Sequence, residues 1–151
     1  MAAAFSLPSP RPVIWPETAP FWSAAERGQL ALPRCTACRQ VIWYPKGVCP
    51  TCMGTDLEWF DAAGVGTVFS FTVVRRGAGA YASSAPYIVA LVELAEGPRI
   101  FSNVVGSDSG ELFIGAPVVV TFEHGLDPSP NDGERSIPLP RFRLATSGER
   151  P

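Results

Sequence analysis

Residues 35–38 carry the sequence Cys-Thr-Ala-Cys and residues 49–52 carry Cys-Pro-Thr-Cys, and these two stretches decide the fold of the segment around them. They contain all four cysteines of the chain, which are Cys35, Cys38, Cys49 and Cys52. Two Cys-x-x-Cys pairs at this separation supply one tetrahedral set of thiolate ligands, which is typical of a structural zinc ion. Because four sulfur ligands complete the coordination, no position remains for a metal-bound water. The pattern therefore predicts a zinc that stabilises a small ribbon and does not catalyse.

Paired cysteines have other uses, and three alternatives to zinc stay open from the sequence alone. Two disulfides would need an oxidising compartment, and no secretory signal is visible. A thioredoxin-like redox pair would place one Cys-x-x-Cys at the start of a helix that follows a strand, and neither pair has that context. Iron could replace zinc in the same ligand set. The cysteine usage and the lack of a signal together predict a cytoplasmic protein.

The charge pattern argues against a nucleic-acid-binding protein, and the short apolar stretches argue against a membrane-spanning helix. The net charge is −2, the sequence pI is about 5.4, and Lys46 is the only lysine, so the chain has no basic patch. No apolar stretch approaches the ~20 residues that a membrane-spanning helix needs. With 151 residues, the chain can form one core of ordinary size or two small modules.

The residues around the cysteine pairs predict a short helix followed by a rubredoxin-like zinc ribbon. Thr18 is a candidate N-cap, Pro20 suits the first helical turn, and Gly28 is a candidate C-cap. The runs that frame the cysteine pairs are apolar and rich in β-formers. The predicted ribbon strands are residues 30–34, 41–44 and 57–60.

The remainder of the chain predicts a five-stranded barrel, so that the protein as a whole is mainly β. The predicted strands are residues 64–75, 87–94, 99–105, 118–123 and 139–144. Five strands in roughly 80 residues favour a small closed barrel over a sandwich. A turn-like segment between the third and fourth strands favours the oligonucleotide/oligosaccharide-binding (OB) arrangement.

The same patterns predict four segments along the chain. Prolines interrupt the first residues, which predicts an extended leader, and the polar C-terminal residues predict a frayed tail. The predicted segments are the leader at 1–17, the helix and zinc ribbon at 18–60, the OB-fold barrel at 61–145 and the tail at 146–151.

Short motifs are spread over nearly the whole chain, from Trp15 to Leu144. Their order identifies a protein family more specifically than any single motif does. These motifs are Pro20–Trp22, Leu30–Cys38, Tyr44–Pro45, Cys49–Cys52, Glu58–Trp59, Gly64–Val68, Phe71–Val74 and Ile114–Val118. The chain in this respect resembles a family of acyl-CoA-associated zinc-ribbon/OB-fold proteins that was long catalogued as a domain of unknown function. One departure is Met53, where the family usually has glycine directly after the last cysteine, and Gly54 is the candidate to take that role.

The resemblance implies a function that depends on another subunit. Such proteins pair with thiolase-superfamily subunits, which include thiolases, sterol-carrier-type thiolases and the related aldolases of steroid side-chain degradation. The ribbon and barrel help to form the path of the acyl-CoA, and the catalytic residues lie on the partner. The chain is therefore expected to be no enzyme on its own, to share acyl-CoA with its partner, and to assemble as a two-plus-two heterotetramer, since thiolase-fold enzymes are usually dimers.

Two sets of residues are candidates to face the acyl-CoA or the partner. In the loop of residues 75–86, Arg75 and Arg76 could contact phosphates and Tyr81 could stack or anchor, although a plain flexible hairpin loop explains the same residues. On the ribbon, Trp43 and Tyr44, together with Trp59, either pack on the barrel or form a partner patch.

The alternative function is a module that binds single-stranded nucleic acid or oligosaccharide through the barrel, because OB folds commonly bind such ligands. The acidic pI and the single lysine speak against it. The chain's one histidine, His124, fits a strand-end turn better than a general base.

Overall fold

The computed structural model describes residues 7–124 and 137–149. Within these residues the helix and strands are α1 Ala19–Glu26, β1 Ala31–Cys35, β2 Leu57–Asp61, β3 Val65–Val74, β4 Tyr87–Leu94, β5 Arg99–Val104, β6 Pro117–Glu123 and β7 Leu139–Leu144. A short 3-10 turn covers Gly79–Tyr81. The predicted mainly β architecture with one short N-terminal helix is confirmed. No helix in the described part of the chain is long and apolar enough to cross a membrane.

Helix α1 ends as the sequence predicts but begins differently. Gly28 has φ of +73°, and the N–H groups of residues 28 and 29 donate to the carbonyls of the last helical turn. This is the glycine-terminated helix end that the sequence predicts. Thr18 occupies the N-cap position, but its hydroxyl bonds the backbone of Trp15, at 3.0 and 3.1 Å, and does not cap a helix amide.

The ribbon contains two strands and not the predicted three. β1 and β2 pair in antiparallel fashion along their whole length. The predicted strand at residues 41–44 is reduced to a single bridge between Val41 and Arg34. Pro45 lacks the N–H that further pairing would need, and the rings of the two residues before it pack against Phe21 instead of alternating across a sheet.

Strands β3 to β7 close into a barrel in the order β3-β4-β5-β7-β6, which confirms the predicted five-stranded OB barrel. Along β4, fully and partly buried residues alternate, because successive side chains of a strand point to opposite faces. β3 pairs with both β4 and β6 and so closes the barrel. At Gly66 a side chain would collide with the carbonyl oxygen of Glu93, so this close approach requires glycine.

One apolar core joins the helix to the barrel. Its fully buried members include Phe21 of α1 with Ile100 and Phe142 of the barrel. The ribbon keeps a second, much smaller cluster, which consists of Cys35, Ile42 and Cys49 with Leu57 packed against it. A segment with so small a core needs another source of folding free energy, which a bound metal can supply.

The N-terminal residues before the helix are fixed on the barrel. We call residues 7–9 the strap. Leu7 and Ser9 are buried, the guanidinium of Arg141 donates to the carbonyls of Leu7 and Pro8, and the hydroxyl of Tyr81 donates to the same Pro8 carbonyl. The strap is therefore part of the folded structure although it forms no helix or strand.

Residues 146–149, at the start of the predicted tail, form a hydrogen-bonded turn. Glu149 accepts two hydrogen bonds from the guanidinium of Arg143, at 2.6 and 2.9 Å, and others from the N–H and hydroxyl of Thr146. These contacts, the Arg143 bond first, lower the pKa of Glu149 to about 2. A bidentate ion pair of this kind orders a turn that composition alone predicts to be loose. Residues 150 and 151 lie outside the described residues, and the predicted segment boundaries stay predictions.

Candidate metal centre and the adjoining aromatic groove

The sulfur atoms of the four cysteines converge on one point. All four lie within 4.8 Å of one another, with Cys35 Sγ 3.5 Å from Cys52 Sγ and Cys38 Sγ 3.6 Å from Cys49 Sγ. These separations are far longer than a disulfide bond of about 2.05 Å. They are close to the ~3.8 Å edge of a tetrahedron whose sulfur atoms stand about 2.3 Å from a central zinc. The geometry therefore fits a metal site and does not fit disulfides.

Both cysteine pairs use the same backbone arrangement. In each, the N–H of the first cysteine donates to the carbonyl five residues on, and its carbonyl accepts from the N–H four residues on, at 2.8 to 3.0 Å. The residue after the second cysteine, Arg39 or Met53, has φ of +62°. That left-handed conformation costs a non-glycine residue on the order of 1 kcal/mol. The repeated turn is what brings two sequence-distant pairs into one tetrahedron.

The expectation that Gly54 takes over from a missing glycine at position 53 is wrong, because Met53 itself adopts the left-handed conformation. Gly54 has another role. A Cβ at this position would lie 3.5 Å from Cys35 Sγ, an ordinary contact, but 3.3 Å from Cys52 Sγ, which is tighter than usual. Glycine at this position therefore leaves Cys52 Sγ room that a larger residue would take.

Backbone amides favour the thiolate form of two cysteines. The N–H of Cys38 lowers the pKa of Cys35, and the N–H of Cys52 lowers the pKa of Cys49 to about 6. The N–H of Gln40 acts in the same direction on Cys38, but desolvation and the three neighbouring sulfur atoms outweigh it and raise the pKa of Cys38 to about 12. A fully ionised set of four therefore needs a cation, and zinc fits both the charge and the ligand type.

Next to the metal centre, aromatic rings from the ribbon pack around helix α1. The ring of Phe21 lies 4.9 Å from that of Trp22, 5.5 Å from that of Trp43 and 6.5 Å from that of Tyr44, measured between centroids. Tyr44 remains 41% exposed. Trp59, the third ribbon aromatic, packs partly buried against the main core. Trp43 and Tyr44 therefore pack against the helix, and the partner patch stays a prediction.

These rings form one wall of a groove of about 380 Å³ that separates the helix and ribbon from the barrel. The opposite wall contains Tyr81 and Tyr87, whose ring planes are tilted by 44° with centroids 5.5 Å apart. Phe101 of β5 lies at the rim and is 73% exposed. In the first wall, the indole N–H of Trp22 is buried without a hydrogen-bond partner among the described residues. The side chains that line the groove are thus mainly apolar, with Ser102, Asn103 and Arg141 as the polar members.

The groove exists because β5 and β7 part from one another. Their parallel pairing in the described chain consists of Val104–Phe142, and the carbonyl of Phe142 accepts the N–H of Val105. Since strand residues alternate in the side to which their backbone groups point, Pro138 and Pro140 also face β5. Proline has no N–H, so β7 cannot extend the pairing towards its own N-terminus.

Arg141 is a functional residue that sequence reasoning missed. Its strand alternates with apolar residues, which predicts an exposed side chain, yet Arg141 is 1% exposed. Its guanidinium donates to Glu123 at 2.8 Å and to the two strap carbonyls at 3.2 and 2.6 Å. It also lines the groove. Nothing local in the sequence signals this burial, because the partners lie far away along the chain.

The loop of residues 75–86 is more compact than an open hairpin. The N–H of Tyr81 donates to Ala78, and a side chain at Gly77 would collide with the carbonyl of Tyr81. Tyr81 reaches the groove and the strap. Arg75 and Arg76 are exposed at the end of β3 and do not line the groove. The structure therefore brings Tyr81 together with Trp43 and Tyr44 but leaves the two arginines apart.

Two sequence families match the two parts of this fold in order. The rubredoxin-like zinc ribbon domain of ChsH2 matches residues 22–58, and the C-terminal OB-fold domain of ChsH2 matches residues 59–123. A four-cysteine ribbon followed by an OB barrel defines the class to which the protein belongs, the zinc-ribbon/OB-fold proteins.

Relatives and solved structures agree with this class. A probable enoyl-CoA hydratase alpha subunit of Thermomonospora curvata is 37% identical over 93% of this chain and 41% of its own length. A DUF35 domain-containing scaffold protein of Methanocaldococcus jannaschii is 33% identical over 64% of this chain and 70% of its own. In the solved structure of an Ltp2-ChsH2(DUF35) aldolase, one chain is 37% identical, with a TM-score of 0.75 over 90% of this chain and all of that one.

The chain belongs to the ChsH2 (DUF35) family. It spans about two fifths of the length of the Thermomonospora curvata relative, so it corresponds to one part of that protein. A DUF35 protein of Sulfolobus solfataricus, 13% identical with a TM-score of 0.57, shows the same fold. The resemblance that the sequence motifs indicate is thereby confirmed.

Proposed function

We propose that this chain is an accessory subunit, not catalytic on its own, which binds a thiolase-superfamily partner and helps to form the path of an acyl-CoA. The observation that carries the proposal is the likeness to a chain of the Ltp2-ChsH2(DUF35) aldolase, which this chain covers completely at 37% identity. Other relatives are named as hydratase alpha subunits or as scaffold proteins. A domain that is found in proteins named for different reactions, an aldolase and hydratases, is best explained as a domain that binds and does not catalyse.

The exposed surface supports a partner. Large apolar side chains are exposed on both the ribbon and the barrel: Tyr44, Val48 and Met53 on the ribbon, and Phe101, Phe113 and Ile114 on the barrel. Several such residues on one small protein are typical of a surface that another protein covers. Trp43, Tyr44 and Tyr81, which meet in the groove, are the residues that we assign to the partner.

The exposed arginines are the residues that we assign to the acyl-CoA. Arg75 and Arg76 stand next to each other in solvent, and guanidinium groups bind phosphates through several donors at once. The zinc, held by Cys35, Cys38, Cys49 and Cys52, would fix the ribbon and with it the orientation of Trp43 and Tyr44. The protein works in the cytoplasm, where thiols stay reduced.

Co-expression with a thiolase-fold subunit tests the assembly. We expect a stable complex of two copies of each chain, measured by gel filtration with light scattering. Tyr44→Ser should weaken this complex at least about tenfold, because it removes an exposed aromatic from the proposed interface. The matched control is Lys46→Ser, which changes an exposed residue of the same ribbon loop. A monomer that ignores its thiolase-like partner would overturn the proposal.

Kinetics test the role of the arginines. Alone, the chain should turn over no acyl-CoA, and with its partner it should support carbon–carbon bond cleavage or formation on one. Arg75→Ala combined with Arg76→Ala should leave the complex intact but raise the KM for acyl-CoA roughly ten- to a hundredfold, since charge-assisted phosphate contacts are lost. Arg27→Ala, just after the end of helix α1, is the control. Unchanged kinetics in an intact complex would remove the arginines from the acyl-CoA path.

A further inference from the structure

The first residues of strand β5 have an edge that no other described residue pairs with. At its start, the N–H of Leu94 donates to the carbonyl of Pro98, so the even-numbered residues of β5 bond to β4. At its end, the N–H of Val105 donates to Phe142 of β7, so the odd-numbered residues face β7. The backbone N–H and C=O groups of Arg99 and Phe101 consequently point away from β4.

β7 does not supply partners for these groups. Among the described residues the pairing of β5 with β7 consists of Val104–Phe142. Next to Phe142 on this side stand Pro140 and, just before β7, Pro138, and neither has an N–H to donate to the carbonyls of β5. The carbonyl of Pro138 accepts no backbone hydrogen bond from Phe101. The carbonyl of Pro140 instead accepts the hydroxyl of Ser102 at 2.9 Å. Two residues of β5 thus present two donors and two acceptors in the alternation of a strand edge.

The edge borders the aromatic groove, and the groove limits what can reach it. Phe101 lines the groove together with Phe21, Trp22 and Trp43 on the facing wall. A space of about 380 Å³ between two walls admits a single extended chain but not the sheet of a second folded barrel.

From these observations we infer that the Arg99–Phe101 edge takes up an extended peptide segment of the partner subunit as an added strand. The inference rests on the proposed function, because the occupant belongs to the proposed partner. Main-chain groups of the segment would bond those of Arg99 and Phe101. The side chain that faces the wall is apolar, since the wall consists of aromatic rings. An acyl chain could fill the groove, but it could not satisfy the strand edge.

Amide hydrogen exchange tests the inference in the free chain and in the complex with the co-expressed thiolase-fold subunit. In the free chain, the amides of Arg99 and Phe101 should exchange fast while those of Ile100 and Ser102, which bond to β4, exchange slowly. In the complex, all four should exchange slowly. Slow exchange at Arg99 and Phe101 in the free chain would mean that the edge is already occupied, by residues 125–136 or by a second copy, and would overturn the inference.

Two substitutions at one position separate the backbone from the side chain. Phe101→Pro removes an N–H that does not bond to β4, whereas Phe101→Ala removes the ring and keeps the N–H. We expect Phe101→Pro to raise the Kd of the complex at least tenfold above that of Phe101→Ala. Equal Kd values, or an intact complex with unprotected Arg99 and Phe101 amides, would overturn the docking mode and leave the proposed function standing. The lack of any complex would overturn both.

Discussion

Replacing Arg141 by methionine tests whether the buried guanidinium holds the strap and the barrel together. Methionine keeps most of the apolar volume but removes every hydrogen bond to Leu7, Pro8 and Glu123. The side chain of Arg141 is 2% exposed, while that of Glu123 is 29% exposed. The Glu123 carboxylate, once it has lost its arginine partner, can therefore recover part of its hydration. We therefore take the lower end of the range for breaking a buried ion pair, a loss of about 3 kcal/mol in the free energy of unfolding.

For a chain of this size a loss of about 3 kcal/mol lowers Tm by roughly 6 to 12 °C. Thermal unfolding at neutral pH, followed by circular dichroism or calorimetry, measures the shift. The matched control is Arg143→Met, two residues along the same strand, where the ion pair with Glu149 is more than a third exposed on both sides and solvent screens it. Its Tm should stay close to that of the unchanged protein.

The comparison between the two arginines is decisive. If Arg141→Met melts within ~1 °C of the unchanged protein, the hydrogen bonds to the strap do not stabilise the fold, and the burial argument fails. If Tm falls by the same amount in both variants, the loss of stability comes from removing a charge on this strand and not from the burial of Arg141. Limited proteolysis at residues 7–9 adds a local readout, since cleavage there should accelerate in Arg141→Met and not in Arg143→Met.

Three further predictions concern the metal centre and the tail. Protein purified without added metal should carry one zinc per chain by elemental analysis. The variant Cys38→Ser should unfold the ribbon, while the paired strands of the barrel keep their β signal in circular dichroism. An equally stable metal-free protein with four free thiols would contradict the zinc prediction. Gly54→Ala should weaken zinc binding about threefold because its Cβ would press on Cys52 Sγ, whereas Gly47→Ala, with nothing within 4 Å, should not; equal affinities would refute the close approach. The pKa of Glu149 is lowered to about 2, so its pair with Arg143 stabilises the tail above the ordinary carboxyl pKa of 4.5, and this contribution is lost as the pH falls towards 2. An NMR titration in which Arg143→Met leaves the pKa of Glu149 unmoved would show that the ion pair is not the cause.

Much of the fold follows from local features of the sequence. The spacing within and between the cysteine pairs determines a four-sulfur site whatever surrounds it, because two short turns suffice to bring the thiols together. The alternation along residues 87–94 and the glycine at position 28 determine a strand and a helix end for equally local reasons. The prediction of a third ribbon strand was wrong because the contacts of the Trp43 and Tyr44 rings with Phe21 outweighed a local preference for β-structure.

The sequence by itself determined the metal ligands, the order of ribbon and barrel, and the residue types that could face a partner. Only the tertiary structure decided which of those residues meet. Tyr81 joins Trp43 and Tyr44 at the groove, while Arg75 and Arg76 do not. The prolines at 138 and 140 were visible in the sequence, but their effect depends on which strand lies beside them. A buried Arg141 likewise depends on carbonyls more than a hundred residues away, and such contacts have no local signature because chain folding, not spacing, brings the partners together.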